Sequence, residues 1–405
     1  MRTVQGHCDP AFTAVREVFE ESFARGRDLG AGVTVYAGDR LVVDLWGGVA
    51  DRRTGREWLP DTPCVAFSCT KAVTATAALL LAERGAYDVD GPVAAWWPEY
   101  AAHGKEDTTA AHLLSHQAGL PAFARPVTAE EAADPAAMAA ELAGQAPEWT
   151  PGTAHGYHAV TYGWLAGEIV RRLSGRSVGE FVREEFAGDL DLWIGAPDDV
   201  IERAAKLTAG RRPATGGTGP DAPRAGGPDA PGGADGAPGP NAGVLTRAAA
   251  ALAQGDSPLN RALGTPAPGK GGFNNPVVLR GGWPAAGMVT TSKGLAGHYR
   301  DLVAGRIVAP GTLREALEPR VSGPDKVMLI DTAFGLGYMR PATAFFTPAE
   351  AAETAFGHTG AGGSIGLGDI ERGIGMAYIP NLMGEQLSGD LRAYRLVEAV
   401  YASLA

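Results

Sequence analysis

Between Ala11 and Arg25 the apolar residues Phe12, Val15, Val18, Phe19 and Phe23 fall close to one helical face, so the spacing predicts a helix near the start of the chain. From Gly30 to Ala50 the period shortens. Val33, Val35, Leu41, Val42, Val43 and Leu45 flank a turn at Gly38-Asp39, the pattern of a β-hairpin. Ser68 to Arg84 is rich in Ala and Leu and is halted by Gly85, which reads as a helix with a C-terminal glycine. From Gly91 to Leu263 the pattern is mostly helical, with Ala129 to Gly144 and Tyr162 to Leu173 set apart by Pro and Gly. Beyond Trp283 the chain alternates again. Ser292 to Val308 predicts a helix, Phe334 to Met339 and Gly373 to Ile379 predict strands, and Asp390 to Leu404 predicts a closing helix.

Strands near both ends and helices between them predict an α/β lobe made from 1–90 and 284–405, an inserted helical lobe over 91–283, and a cleft between the two. Inside the helical lobe, Gly210 to Gly243 is dominated by Gly, Pro, Ala and Asp without a repeat. Such a composition buries too little apolar surface to offset its ordering entropy, so a flexible surface loop without chemistry is expected.

Composition narrows the partners. With 405 residues, 45% of them hydrophobic, the chain can bury a large core. The formal net charge of -11 leaves no basic face for nucleic acid or an anionic membrane, and a small-molecule substrate is the better expectation. Met1 to Pro10 carries Arg2, His7, Asp9 and Pro10 rather than the apolar stretch of a secretory signal, and no later window is apolar for the length of a bilayer span. Cys8, Cys64 and Cys69 show no metal-ligand spacing. A cytoplasmic location is therefore expected, with no metal or cofactor, and the oligomeric state is not legible.

Chemistry enters at Ser68-Cys69-Thr70-Lys71. The i,i+3 spacing at a helix start puts the hydroxyl and the amine on one face. The helix N-terminus supplies a backbone N–H and partial positive charge where an oxyanion would form. A desolvated lysine loses proton affinity and can serve the serine as a base. The spacing alone is common by chance; its context gives it weight.

That context is the order Ser68, then Tyr157, then His358-Thr359-Gly360, together with Trp46-Gly47-Gly48, the stretch His112 to Pro121, Pro151-Gly152-Thr153 and Tyr162-Gly163. Nearly end to end, the chain resembles class C β-lactamases, DD-peptidases and family VIII carboxylesterases. The resemblance implies an α+β fold of the β-lactamase/transpeptidase type, an antiparallel sheet flanked by helices with an inserted all-helical lobe. It implies Ser68 as nucleophile, Lys71 and Tyr157 as its proton-handling partners, and His358 on the strand at the cleft edge. It also implies the backbone N–H groups of Ser68 and Ala361 as oxyanion donors, with Thr359 and Gly360 contacting substrate. Lys71 and Tyr157 titrate as a coupled pair whose microstates the sequence leaves open, an adjacent ammonium favouring the phenolate.

Two departures bear on the substrate. Where the peptide-directed members place an Asn two residues after the tyrosine, this chain reads Tyr157-His158-Ala159 and offers no side-chain amide. His358 stands where many relatives carry a lysine, and a histidine is mostly neutral at pH 7. Both favour a serine hydrolase acting on small neutral esters, a carboxylesterase. An acyltransferase, a DD-peptidase or β-lactamase, and a non-catalytic scaffold are the alternatives. His158 and Trp283 are further candidates for substrate contact. Gly362-Gly363-Ser364-Ile365-Gly366 spells GxSxG, but no histidine follows His358 to complete a triad and the run after Ser364 reads as strand. His112 and His116 are four apart yet lack a third ligand, and His155 reads as a solvated loop residue.

Overall fold

The computed structural model describes residues 4–210, 255–384 and 390–404. Of the Gly/Pro-rich stretch expected as a loop, 211–243 lies outside the described residues. The central sheet contains β1 (Val4–Cys8), β2 (Gly30–Ala37), β3 (Arg40–Asp51), β4 (Ala355–Thr359), β5 (Ile365–Asp369) and β6 (Ile374–Pro380), in the order β1-β3-β2-β6-β5-β4. A seventh short strand, Arg56–Glu57, extends the end of β3, and every neighbouring pair is antiparallel. The two ends of the chain meet where β2 pairs with β6, Ile374 opposite Ala37 and Pro380 opposite Ala31.

Strand alternation sorts the sheet into two buried faces. Met376 and Tyr378 of β6 pack with Val15 and Phe19 of α1 (Thr13–Ala24) and Val397 of the closing helix Leu391–Ala402. Ala377 and Ile379 pack with Leu295 and Tyr299 of Ser292–Val303 on the opposite face. That second helix lies close because glycine lines its path: a Cβ at Gly366 would sit 2.4 Å from the Tyr299 ring, and one at Gly375 would sit 2.5 Å from the Arg300 nitrogen.

The helix that begins at the SxxK segment, α2 (Cys69–Glu83), is buried from Cys69 to Leu81 on all sides. A helix buried around its whole circumference belongs in a core, and this one runs through it, against α3 (Tyr162–Ser174). It stops where expected, with Gly85 at φ 74°.

Several expectations are corrected. Residues Ala129 to Gly144 do not form one helix: Asp134 is extended before Pro135, caps Pro135–Gly144 and leaves Glu131–Ala133 as a separate 3-10 turn. Phe334 to Met339 is not a strand. Asp331–Phe334 pairs with Val321–Pro324, after which Gly337 at φ 84° turns the chain so that Met339 bridges Gly357. The helix from Ser292 ends at Val303, short of Val308, with Gly305 at φ 69°. The middle of the chain is not wholly helical, since Leu192–Ile194 joins Met288–Thr290, which also pairs with Cys64–Val65. Strands of two or three residues carry too little periodicity to register in sequence.

Candidate active site

The segment before α2 is held from two sides. Cys64–Val65 pairs with Met288–Thr290, and the Thr70 hydroxyl donates to the Phe67 carbonyl while accepting the Met288 N–H at 3.1 Å. The Cys69 thiol, pushed up to about 12 by burial and hence protonated, donates to the His358 carbonyl of β4 at 3.2 Å. Between these ties Phe67 takes φ 48°. A left-handed aromatic residue costs about 1–2 kcal/mol, and here it turns the chain so that Ser68 stands at the N-cap of α2.

Lys71 is 0% exposed, and its Nζ lies 3.1 Å from Ser68 Oγ, 2.7 Å from the Ala159 carbonyl and 3.0 Å from the Ala285 carbonyl. Burial drives its pKa well below the usual lysine value, and among the described residues no carboxylate pairs with it. A neutral amine has two N–H donors, which match the two carbonyls. With its two N–H groups on the carbonyls, such an amine would turn its lone pair to Ser68, an arrangement able to take the hydroxyl proton.

Tyr157 sits in a loop, lining the same cavity as Ser68, with its ring centroid 4.7 Å from Lys71 Nζ. Burial raises the phenol above its ordinary pKa, so the neutral form is favoured. The sequence left the microstates of this pair open; burial acts on both groups and favours the neutral form of each. His358, on β4 opposite Gly366, donates from Nδ1 to the Thr359 carbonyl at 2.6 Å. Burial, with Lys71 adding to it, lowers its pKa to about 3. Nε2 is therefore an unprotonated acceptor, buried and without a partner among the described residues.

These groups border a cavity of about 90 Å³. Ser68, Tyr157, His358, Thr359 and Ala361 line one side, and Phe67, Ala159, Val160, Leu263, Phe273, Ala286, Met328 and Met339 supply an apolar remainder. Among the described residues the backbone N–H groups of Ser68 and Ala361 donate to no protein acceptor, which leaves two donors open at the cavity edge. A larger cavity of about 200 Å³ runs along α3. Its buried carboxylate, Glu168, is paired with Arg171 and Arg172, and its serine, Ser177, is taken up in a helix-capping box with Glu180, so size does not select it.

The remaining sequence candidates separate. The Thr359 hydroxyl lies 3.6 Å from Met339 Sδ at the cavity wall. Gly360 lies behind the wall, where a Cβ would sit 2.4 Å from the Ala66 carbonyl oxygen. His158 is corrected from substrate contact to framework: it is 1% exposed, accepts the Leu120 N–H at Nε2 and donates to the Gly156 carbonyl from Nδ1, so neither nitrogen is left for a ligand. Trp283 is corrected likewise, being 1% exposed and packed against Trp164 and Phe273 one layer behind the wall. The Ser364 hydroxyl donates to the Ala66 carbonyl at 3.0 Å and does not reach the cavity. His112 and His116 do not share a helix: His116 follows the short helix at φ 64°, and its Nδ1 accepts the His158 N–H. His155 is buried rather than solvated. The apolar wall was missed because Leu263, Phe273, Met328 and Met339 come from four separated segments. Only Phe67, beside Ser68, carried a local hint.

Comparison with known proteins shows the family. The sequence pattern of the Beta-lactamase family matches residues 15–401. The esterase/beta-lactamase LipL of Mycobacterium tuberculosis is 32% identical over 99% of this chain and 89% of its own length. The crystal structure of a family VIII carboxylesterase superposes with a TM-score of 0.82 at 31% identity, covering 99% of this chain and 100% of that one. A penicillin-binding protein homologue from Caulobacter crescentus gives 0.81 at 36% identity, covering 99% and 100%. On the breadth of these matches and the antiparallel sheet with its flanking helices, this chain belongs to the β-lactamase family.

Proposed function

We propose that this chain is a serine hydrolase, a carboxylesterase that cleaves small uncharged esters through an acyl-enzyme on Ser68. The observation that carries the reading is Lys71 Nζ at 3.1 Å from Ser68 Oγ with only neutral oxygens around it. In the first step Ser68 Oγ attacks the ester carbonyl and its proton passes to Lys71 Nζ, while the oxyanion is received by the N–H groups of Ser68 and Ala361. The C–O bond then breaks. The leaving alkoxide takes a proton from Lys71 by way of the Tyr157 phenol, which lines the cavity with Ser68. Water attacks the acyl-enzyme with the same groups receiving and returning the proton, and the carboxylic acid departs.

The preference for uncharged esters rests on the cavity. His358 is held neutral, burial disfavours a charge on Lys71, and Ala159 presents only a methyl group, so a substrate carboxylate finds no permanent positive charge there and an acylamino group finds no side-chain amide. The relatives named as esterases support the same reading. Transfer of the acyl group to an alcohol or amine uses the same intermediate, and product analysis with added propanol separates transfer from hydrolysis.

The division into a sheet lobe (1–90 and 284–405) and a middle lobe (91–283) belongs to this proposal, the cavity being walled by residues of both. A cytoplasmic location does too: Cys8, Cys64 and Cys69 are unpaired thiols, chemistry suited to a reducing compartment, and no described helix is long and apolar enough to cross a membrane. The test is turnover of p-nitrophenyl butyrate together with a serine-reactive phosphonate followed by mass spectrometry. Label on Ser68 and loss of both signals in Ser68→Ala are expected; label on Ser364 would overturn the assignment.

A further inference from the structure

The phenol of Tyr157 must meet Ser68 and Lys71, yet Tyr157 lies in a loop with no helix or strand of its own to hold it. Its backbone N–H donates at 3.0 Å to Oδ1 of Asp325, a residue that no sequence motif singles out. Asp325 is 2% exposed and opens the turn of the hairpin between Val321–Pro324 and Asp331–Phe334, its N–H donating to the Ile330 carbonyl. The same Oδ1 accepts the N–H groups of Val327 and Met328, each at 2.8 Å, and Met328 is part of the cavity wall. Oδ2 accepts the Thr332 hydroxyl at 3.1 Å, and the Thr332 oxygen lies 3.0 Å from His155 Nε2. A threonine hydroxyl has one proton, so His155 is the donor in that second contact. The hairpin is closed onto the loop by the Lys326 N–H to the His155 carbonyl at 3.1 Å. Gly156 permits the approach, a Cβ there falling 3.0 Å from Val327 Cγ2.

We propose that Asp325 is a positioning residue for the reaction: its buried carboxylate fixes the backbone of Tyr157, and through it the phenol, against Ser68 and Lys71. The proposal rests on the assignment of Ser68 and Tyr157 made above. A carboxylate that accepts several backbone N–H groups in a buried site holds them by charge-assisted bonds, and removing it leaves every donor unpaired. A shift of about 1 Å in a proton-transfer group costs on the order of a hundredfold in rate.

The test is a double-mutant cycle on kcat for p-nitrophenyl butyrate, normalised to Ser68 sites titrated to completion with a phosphonate. Asp325→Ala is expected to lower kcat per site by about a hundredfold in the wild-type background and by less than about threefold in Tyr157→Phe. Asp325→Asn keeps an oxygen for the three N–H donors and is expected to retain kcat within about tenfold of wild type. If Asp325→Ala is not recovered folded, Thr332→Val and Asp325→Asn, each with and without Tyr157→Phe, read the same coupling. Equal losses in both backgrounds, or a loss confined to KM, overturn the positioning role while leaving the Tyr157 assignment intact. Wild-type kcat in Tyr157→Phe alone overturns both.

Discussion

Lys71 Nζ and Ser68 Oγ stand 3.1 Å apart, and the other oxygens on that nitrogen are the uncharged carbonyls of Ala159 and Ala285. An ammonium at this place would be buried without a counter-ion among the described residues, and burial lowers its pKa well below the usual lysine value, which favours the free amine required of the proposed base.

The pH profile follows in sign. Lys71 is active when deprotonated, so kcat/KM should rise with pH through its lowered pKa and then level off. Lys71→Ala should lose about a hundredfold to ten-thousandfold in the rate of Ser68 acylation. Stopped-flow measurement of phosphonate labelling checks both. Activity that falls as pH rises from 6 to 8 would contradict the neutral-base assignment.

Acid should unfold this protein early. Burial holds His158 and His358 down to about 3 and His298 to about 4, with His116 also well below the ordinary value. These folded-state values lie below the unfolded value of about 6.5, so the unfolded chain binds more protons between the two. The stability they contribute is present above pH 6.5 and lost as pH falls toward 4, at a rate of order 1 kcal/mol per pH unit for each histidine. Thermal unfolding at pH 7 and pH 5 should show a clear drop in Tm. An unchanged Tm would mean that these rings are not held neutral.

Acyl length should be set by an aromatic pair. Phe67 and Phe273, with ring centroids 5.0 Å apart, line both the 90 Å³ cavity and a neighbouring one of about 410 Å³. Phe273→Ala should raise the ratio of kcat/KM for p-nitrophenyl octanoate over acetate by about tenfold or more. A ratio unmoved by the change would show that the two spaces are not in communication.

Stability should be sensitive at Gly337. It takes φ 84°, and a Cβ there would sit 2.2 Å from Ala75 Cβ on α2 and 2.6 Å from the Tyr162 hydroxyl. Gly337→Ala combines a strained backbone with an overlap against the helix that carries Ser68, and should cost more than about 2 kcal/mol in urea unfolding. Wild-type stability would show that the turn can move away from α2.

Much of the architecture was legible because its signals are local. The hairpin of β2 and β3 and the closing helix declare themselves by period, and the helix after Ser68 by its run of Ala and Leu halted at Gly85. The SxxK spacing brings two side chains together within a single turn of α2. The order of Ser68, Tyr157 and His358 sufficed to suggest the family, since chain order survives without coordinates.

Burial and the company it brings were decided only in three dimensions. Nothing adjacent to Tyr157 indicates that Asp325 holds its N–H, that His158 spends both nitrogens on backbone groups, or that Trp283 sits behind the wall. Nothing local sets the protonation of Lys71, Tyr157 and His358 either. Their charge states depend on how much water the surrounding elements exclude. That exclusion is a sum over contacts distant in sequence, whereas periodicity reports only on neighbours within a few residues.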